Sequence, residues 1–348
     1  MKTQHATTAH ADIWRERLKS QTYLTESQGN RKKQTAIDAV LKAIRLCEQV
    51  QAEMVPTDAI QKTDRSPVTV ADFGSQALIC KAIGEVFPDD TIVAEESAEA
   101  LQENVTLLKR VADYVNRFSD ETTATTETVC EWINRGSGEV GPSFWTLDPI
   151  DGTKGFLRRD QYAIALAYIV EGVVQLGVLG CPNLPSRLDD TDSECGCLFV
   201  AIRGQGTYLY TKTGEFLERV HVSETTHRFA ESVESTHGDS EAHGKIANAL
   251  GITEPPVRMD SQAKYGIVSR GGASLYIRLP NPAYPDYREC IWDHAAGLIV
   301  VEEAGGTVTD ANGAPLNFLT GKRMHGNRGI VATNGKLHQH VLKALAKL

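Results

Sequence analysis

No apolar run in this chain reaches the roughly 20 residues that a bilayer-spanning helix needs, so the sequence offers no membrane span. Positive charge is in short supply. The 36 Lys and Arg stand against 45 Asp and Glu, a net charge of −9, and that acid surplus excludes a broad electrostatic grip on a nucleic acid polymer. A paired cysteine framework is also missing. The seven cysteines are odd in number and scattered, which points to reduced thiols in a cytosol-like compartment. Cys195 and Cys197 lie close together, but no nearby Cys/His pair completes a zinc set, so they read as two buried or loop thiols. The first thirty residues lack the apolar core of a secretory signal. The compartment therefore reads as cytoplasmic. A plastid or mitochondrial address stays open, though Asp12, Glu16 and Glu26 make it a poor one. Asn104-Val105-Thr106 matches a glycosylation acceptor and means nothing in that setting.

What is present is an ordinary globular composition, 41% hydrophobic and 23% charged over 348 residues, enough for one large domain or two of common size. Residues 1–30 read as an arm or accessory helix. Between Gln34 and Met54, Ala36, Val40, Ala43, Ile44 and Cys47 recur at three- and four-residue steps, the face of a helix. An extended piece, 66–72, leads into a second helix that Asp72 opens and Pro88 stops. Thr91–Ala94 reads as a strand, and 97–140 as a helix plus surface loops. Beyond Thr153, the runs 162–170 and 173–180 are strands joined at Glu171-Gly172, and 198–202 with 206–210 make another pair around the turn Gly204-Gln205-Gly206. Residues 241–250 read as helix, 267–279 as alternating turn and strand, and Asp293 opens a helix that ends at Gly305-Gly306 before the strand 307–309. No internal repeat is visible. The fold class is α/β, with an α+β first half and an α/β second half meeting near residue 155.

The chemistry gathers where apolar runs end in acids. Trp145-Thr146-Leu147 runs into Asp148-Pro149-Ile150-Asp151-Gly152-Thr153, two carboxylates three positions apart with a proline that forbids an ordinary central strand. Placing two acids in one tight loop costs electrostatic repulsion unless cations intervene. Glu95-Glu96 follows Ile92-Val93-Ala94, and Asp293 follows Ile291-Trp292. Taken singly, Asp72 and Asp293 are better read as helix N-caps and Glu95-Glu96 as a charged loop. Taken together, four or five acids at element ends suit a two-metal phosphatase.

These runs carry a resemblance. Ala94-Glu95-Glu96-Ser97, Asp148-Pro149-Ile150-Asp151-Gly152-Thr153 and Trp292-Asp293-His294-Ala295-Ala296-Gly297 resemble the three signatures of the inositol monophosphatase superfamily of magnesium-dependent, lithium-sensitive phosphatases. Ser66-Pro67-Val68-Thr69-Val70-Ala71-Asp72, Lys154-Gly155-Phe156-Leu157-Arg158 and Asp260-Ser261-Gln262-Ala263-Lys264-Tyr265 look like its 3′(2′),5′-bisphosphate nucleotidase branch. The match spans about residues 35 to 335, with Ala94 where Gly is usual. It implies a layered αβαβα sandwich. The chain would then divide into an arm (1–30), a domain carrying Asp72, Glu95 and the 148–153 loop (31–156), and a domain carrying the nucleotide pocket and Asp293 (157–348).

Carried over residue by residue, the resemblance implies that Glu95, Asp148, Asp151, Asp293 and the Ile150 carbonyl hold two or three Mg²⁺ ions. Gly152 and Thr153 amides would face the phosphate, and Asp72 would accept a proton through Thr153. Asp293 counts with the substrate contacts as well as the metal ligands. Glu96 reads either as an acid behind the ligands or as a surface charge. His237, Ser261, Lys264 and Arg278 would hold base, ribose and 5′-phosphate. For Arg278, a cation in the apolar run Tyr276-Ile277-Arg278-Leu279, the residues alone favour an internal salt bridge, and the resemblance favours an anion. The implied reaction removes the 3′-phosphate of adenosine 3′,5′-bisphosphate, giving AMP and phosphate, with 3′-phosphoadenylyl sulfate as a further substrate. The partner is thus a small bisphosphorylated nucleotide and the protein a monomer. The alternatives are an inositol polyphosphate 1-phosphatase, which shares the metal site and differs in the pocket, and a non-catalytic bisphosphonucleotide sensor. A sensor would have no need of Asp72 and Thr153.

Overall fold

The structure, a computed structural model, describes residues 23–55, 59–61, 67–120, 124–188, 193–233, 240–281, 284 and 286–348. Helix α1 (Glu26–Glu53) precedes the paired strands β1 (Ala59–Gln61) and β2 (Pro67–Thr69), helix α2 (Val70–Val86) and strand β3 (Ile92–Ala94). Helices α3 (Glu99–Gln102), α4 (Val105–Phe118) and α5 (Thr126–Asn134) lead to β4 (Ser143–Asp151) and the short α6 (Thr153–Arg158). Five strands follow: β5 (Ala163–Val170), β6 (Val173–Pro185), β7 (Cys195–Ile202), β8 (Gly206–Thr211) and β9 (Phe216–Val220). The rest comprises β10 (Phe229–Glu231), α7 (Ser240–Leu250), β11 (Val257–Arg258), α8 (Ala263–Ser269), β12 (Leu275–Arg278), α9 (Ala295–Glu303), β13 (Thr307–Thr309), β14 (Ile330–Thr333) and α10 (His338–Leu345).

Strands β3 to β9 form one seven-stranded sheet in sequence order, parallel between β3 and β4 and antiparallel thereafter. A five-stranded sheet has the order β11-β10-β12-β14-β13. Helices α1 and α2 cover one face of the large sheet, α8 and α9 fill the space between the sheets, and α7 and α10 cover the far face of the small one. This is the αβαβα sandwich expected. Strand β5 shows why both faces of the large sheet are dry. Ile164, Leu166 and Tyr168 point into the α1/α2 core, while Ala163, Ala165, Ala167 and Ile169 point towards α9, the two-residue alternation of a strand. Small residues on the second face let α9 approach closely. A side chain at Gly177 would meet Ile299 Cγ2 at 2.4 Å. Helix α2 is buried on nearly every side from Val70 to Ile83, as a helix apolar all round must be.

Several expectations are corrected. Helix α1 begins at Glu26, inside the supposed arm, because Thr25 and Gln28 form a capping box there; residues 1–22 lie outside the described residues. Asp72 is not the N-cap of α2. Thr69 is, with Asp72 three positions on. Asp293 does not cap α9 either, since that helix starts at Ala295 after a turn. Residues 267–269, expected to alternate turn and strand, end the helix 263–269, and 97–140 hold three helices. The join placed near residue 155 falls inside the seven-stranded sheet, between β4 and β5.

Candidate active site

The site is built at the end of β3 and β4. Their parallel register pairs Ala94 with Leu147, so the next residues, Glu95 and Asp148, emerge side by side. The Glu95 N–H donates to the Leu147 carbonyl at 3.2 Å. Against β5 the register slips between Asp148 and Asp151, a bulge that accommodates Pro149 and re-aims the chain. The Ile150 N–H donates to Asp148 Oδ1 (3.1 Å), and the Ser75 hydroxyl donates to the Pro149 carbonyl (3.1 Å), tying the bulge to α2. Gly152 then takes φ +87°, and a side chain there would lie 3.0 Å from Ser261 Cβ. Glycine thus allows the loop to lie against the Asp260-Ser261 turn.

Asp72 divides its carboxylate between two tasks. Oδ2 accepts from the Thr69 N–H (2.8 Å) and hydroxyl (2.7 Å), completing the helix cap. Oδ1 accepts from the Thr153 hydroxyl at 3.3 Å. That hydroxyl also lies 3.2 Å from the Ile150 carbonyl, the oxygen expected to face a metal. Its single hydrogen can serve only one of these acceptors at a time.

The electrostatics are lopsided. Burial pushes the Asp148 carboxyl well above the usual carboxylate range, and Glu95, Asp151, Asp293 and Asp72 push it further. Asp151 and Asp293 are also raised, burial leading, while Lys264 and Arg278 offset Asp151, and Arg278 offsets Asp293. Burial raises all three of these carboxyls, and neighbouring acids raise Asp148 and Asp293 further, a buried acid set that fits a hard cation with oxygen ligands. Glu96 is buried, with its backbone clasped by the Gln76 side chain (3.0 and 2.7 Å). It is not a surface charge.

The second half supplies the facing wall. Ser261 holds φ +68°, rare outside glycine, and its carbonyl starts the turn into α8. Lys264 is buried; its amine donates to the Met259 carbonyl (3.1 Å) and lies 5.1 Å from the Tyr276 ring centre. Burial lowers its pKa to about 8 against the pull of Asp151. Arg278 forms the internal salt bridge that its apolar run suggested: Nε donates to Glu289 Oε1 at 2.9 Å. Burial opposes ionisation of Glu289, but Arg278 and His294 overcome it and bring the carboxyl down to about 2. His294 continues the network, with Nε2 3.4 Å from Glu289 Oε2 and Nδ1 2.8 Å from the Tyr265 hydroxyl. His237 lies outside the described residues.

The structure therefore gathers Asp72, Glu95, Asp148, Ile150, Asp151, Gly152, Thr153, Ser261, Lys264, Arg278 and Asp293 in one region. It also brings in three residues that the sequence did not single out: Gln262, Glu289 and His294. Among the described residues, the one group of three whose ligand-type atoms all come within 4.8 Å of one another is Glu289, Asp293 and His294. The ion pair to Arg278 and the ring of His294 already engage Glu289. Gln262 joins three segments, and no local pattern could have revealed it.

A buried set of acids, walled by a lysine and an arginine, has the chemistry to accept a cation and an anion together. The inositol monophosphatase family model matches residues 26–348, and the chain belongs to that family. It is 43% identical over 327 residues to 3′,5′-bisphosphate nucleotidase 2 of Arabidopsis thaliana, covering 88% of this chain and 93% of that protein. It is 39% identical over 335 residues to the 3′(2′),5′-bisphosphate nucleotidase of Schizosaccharomyces pombe, covering 90% and 94%. In fold it is similar to the IMPase of Thermotoga maritima, with a TM-score of 0.60 at 24% identity over 89% of this chain and 95% of that one. The suhB protein of Bartonella henselae gives 0.62 at 20% identity over 90% and 98%.

Proposed function

We propose that this chain is a Mg²⁺-dependent 3′(2′),5′-bisphosphate nucleotidase that converts adenosine 3′,5′-bisphosphate to AMP and phosphate, and acts also on 3′-phosphoadenylyl sulfate. The observation that carries the reading is the Thr153–Asp72 hydrogen bond standing beside the four mutually repelling carboxylates. The names and coverage of the relatives support the substrate class. Glu95, Asp148, Asp151, Asp293 and the Ile150 carbonyl would hold the Mg²⁺ ions. When bound, these ions neutralise charge on the phosphate and favour ionisation of water.

The chain's own residues account for the proton. With its hydrogen donated to Asp72 Oδ1, Thr153 Oγ1 keeps its lone pairs for an attacking water. Water passes a proton to Thr153, and Thr153 passes its own to Asp72. The new oxygen–phosphorus bond forms as the bond to the 3′-oxygen breaks, and that oxygen leaves with a proton from solvent. Asp72 keeps its orientation throughout, because Thr69 still holds Oδ2. Lys264 and Arg278 would receive the phosphate that is not cleaved, the arginine using guanidinium nitrogens other than the Nε held by Glu289.

The test compares phosphate release from adenosine 3′,5′-bisphosphate and from inositol 1,4-bisphosphate under equal Mg²⁺. Preference for the nucleotide is expected. Preference for the inositol would reassign the pocket, and tight nucleotide binding without turnover would make the protein a sensor.

A further inference from the structure

Asp151 and Asp293 come from different layers of the molecule. One ends a strand of the large sheet, and the other sits in the turn before α9. Their separation is set by tertiary contacts between the layers. Gln262 connects them. Its backbone N–H donates to Asp151 Oδ2 at 2.6 Å. Its side-chain amide donates to the Trp292 carbonyl at 2.9 Å, and its Oε1 accepts from the Gly297 N–H at 3.1 Å. One residue thus grips Asp151 with its backbone and both sides of Asp293 with its side chain, while only 2% exposed.

The side chain is specified by this task. The Trp292 carbonyl needs a donor and the Gly297 N–H needs an acceptor, and among side chains of this length the carboxamide alone offers both at one end. The acceptor half also caps α9. His294, at the N-cap position, makes no side-chain cap bond, and Gly297 is the third residue of the helix, the position an N-cap side chain ordinarily serves. The preceding Ser261, at φ +68°, turns the backbone so that the Gln262 N–H faces Asp151.

We infer that Gln262 is a positioning residue that sets the placement of Asp151 relative to Asp293, and through it the affinity and geometry of the cation site. The inference rests on the reading of these two acids as metal ligands. Partners behind metal ligands are worth about 10- to 100-fold in affinity or activity.

The test titrates the full chain with Mn²⁺, free of substrate, and follows free ion by electron paramagnetic resonance. Wild type, Gln262→Met, Gln262→Asn and Asp151→Asn are compared, with thermal melting in EDTA alongside. Met keeps the volume without either polar bond; Asn keeps the chemistry but is one methylene short of spanning both partners. Both should remain folded at the titration temperature and bind Mn²⁺ about 10-fold or more weakly, with kcat reduced even at saturating metal and KM little changed. A lower melting temperature with unchanged Mn²⁺ affinity and kcat in either folded variant would make Gln262 a packing residue and overturn the inference. If wild type binds no Mn²⁺, or Asp151→Asn binds it as well as wild type, the metal reading itself fails and takes this inference with it.

Discussion

Strand β4 carries two buried charge clusters, one towards each end, and they are built on opposite principles. Near its start, Lys32 from α1 sits 3.9 Å from the Tyr168 ring centre, 4.1 Å from that of Phe87 and 5.2 Å from that of Trp145. Asp90 pairs with the amine, and the Trp145 indole N–H donates to the same Asp90 oxygen at 2.8 Å. Charge, hydrogen bonds and ring faces are all answered within the cluster. Three residues beyond Trp145, Asp148 begins a cluster in which Glu95, Asp151, Asp293 and Asp72 all raise its carboxyl. A buried charge answered internally holds a fold together; a buried surplus of one sign has to be answered by something that binds.

Breaking the surplus should have the largest effect. Asp148→Asn retains an oxygen for the Ile150 N–H but removes a charge proposed to hold Mg²⁺. Turnover should fall beyond the ~100-fold that partners behind a metal contribute, as measured by phosphate release at saturating Mg²⁺. Without metal the sign reverses. Asp148 is raised in the folded state, so its penalty is absent below the ordinary carboxylate pKa of about 4 and grows as pH rises towards the folded value. In EDTA, the variant should therefore gain stability over wild type as pH increases from about 4. Melting curves with parallel pH dependence would contradict this picture of the acid cluster.

Next in size is the proposed proton acceptor. Asp72→Ala should lower kcat by ~10²-fold or more, the scale of general-base removal, with near-normal substrate binding. It should also cost about 1 kcal/mol of stability, because Oδ2 closes the α2 capping box. Loss of stability with intact kcat would leave Asp72 as a cap alone.

How much of this was legible in the sequence follows from the same contrast. Glu95, Asp148 and Asp293 stand out because each ends an apolar run, and a parallel register brings the first two together. The partners that organise them do not stand out. Gln262 reaches Asp151 across 111 residues and Gly297 across 35, and Glu289 meets Arg278 across 11. The helix 263–269 is short and ends near Gly271-Gly272, so its composition resembles a turn. The caps were misplaced for a related reason. Asp at the third position of a helix and Asp at its N-cap give the same local signature, and only the Thr69 hydrogen bond separates them.

The Arg278–Glu289 pair lies between the two kinds of cluster, answered internally yet facing the acids. Arg278→Ala should weaken binding of adenosine 3′,5′-bisphosphate by about 10- to 100-fold, with a much smaller loss for a monophosphate lacking the 5′ group. Because it leaves the buried Glu289 with the His294 ring but without its guanidinium, it should also destabilise the fold by about 3–5 kcal/mol. Adding Glu289→Gln should recover much of that stability and none of the affinity. Equal losses on both substrates would reduce Arg278 to a structural role.

The smallest effect on activity is expected at the closed cluster. Lys32→Met replaces the amine with a side chain of similar length that still packs on Phe87 and Tyr168. Asp90 keeps its bond from the Trp145 indole and has a side chain 22% exposed, so it can recover solvation when its cation is gone. The lost cation–π contacts are worth about 0.5–2 kcal/mol, and the relief of burying an amine whose pKa burial depresses acts the other way. A net loss of about 1–2 kcal/mol in chemical denaturation is expected on that balance, with kcat and Mg²⁺ dependence unchanged within about twofold, well inside the range expected for a site that the substitution does not touch. A large fall in kcat without loss of folded protein would show that the two ends of β4 are coupled, and that the closed cluster also tunes the open one.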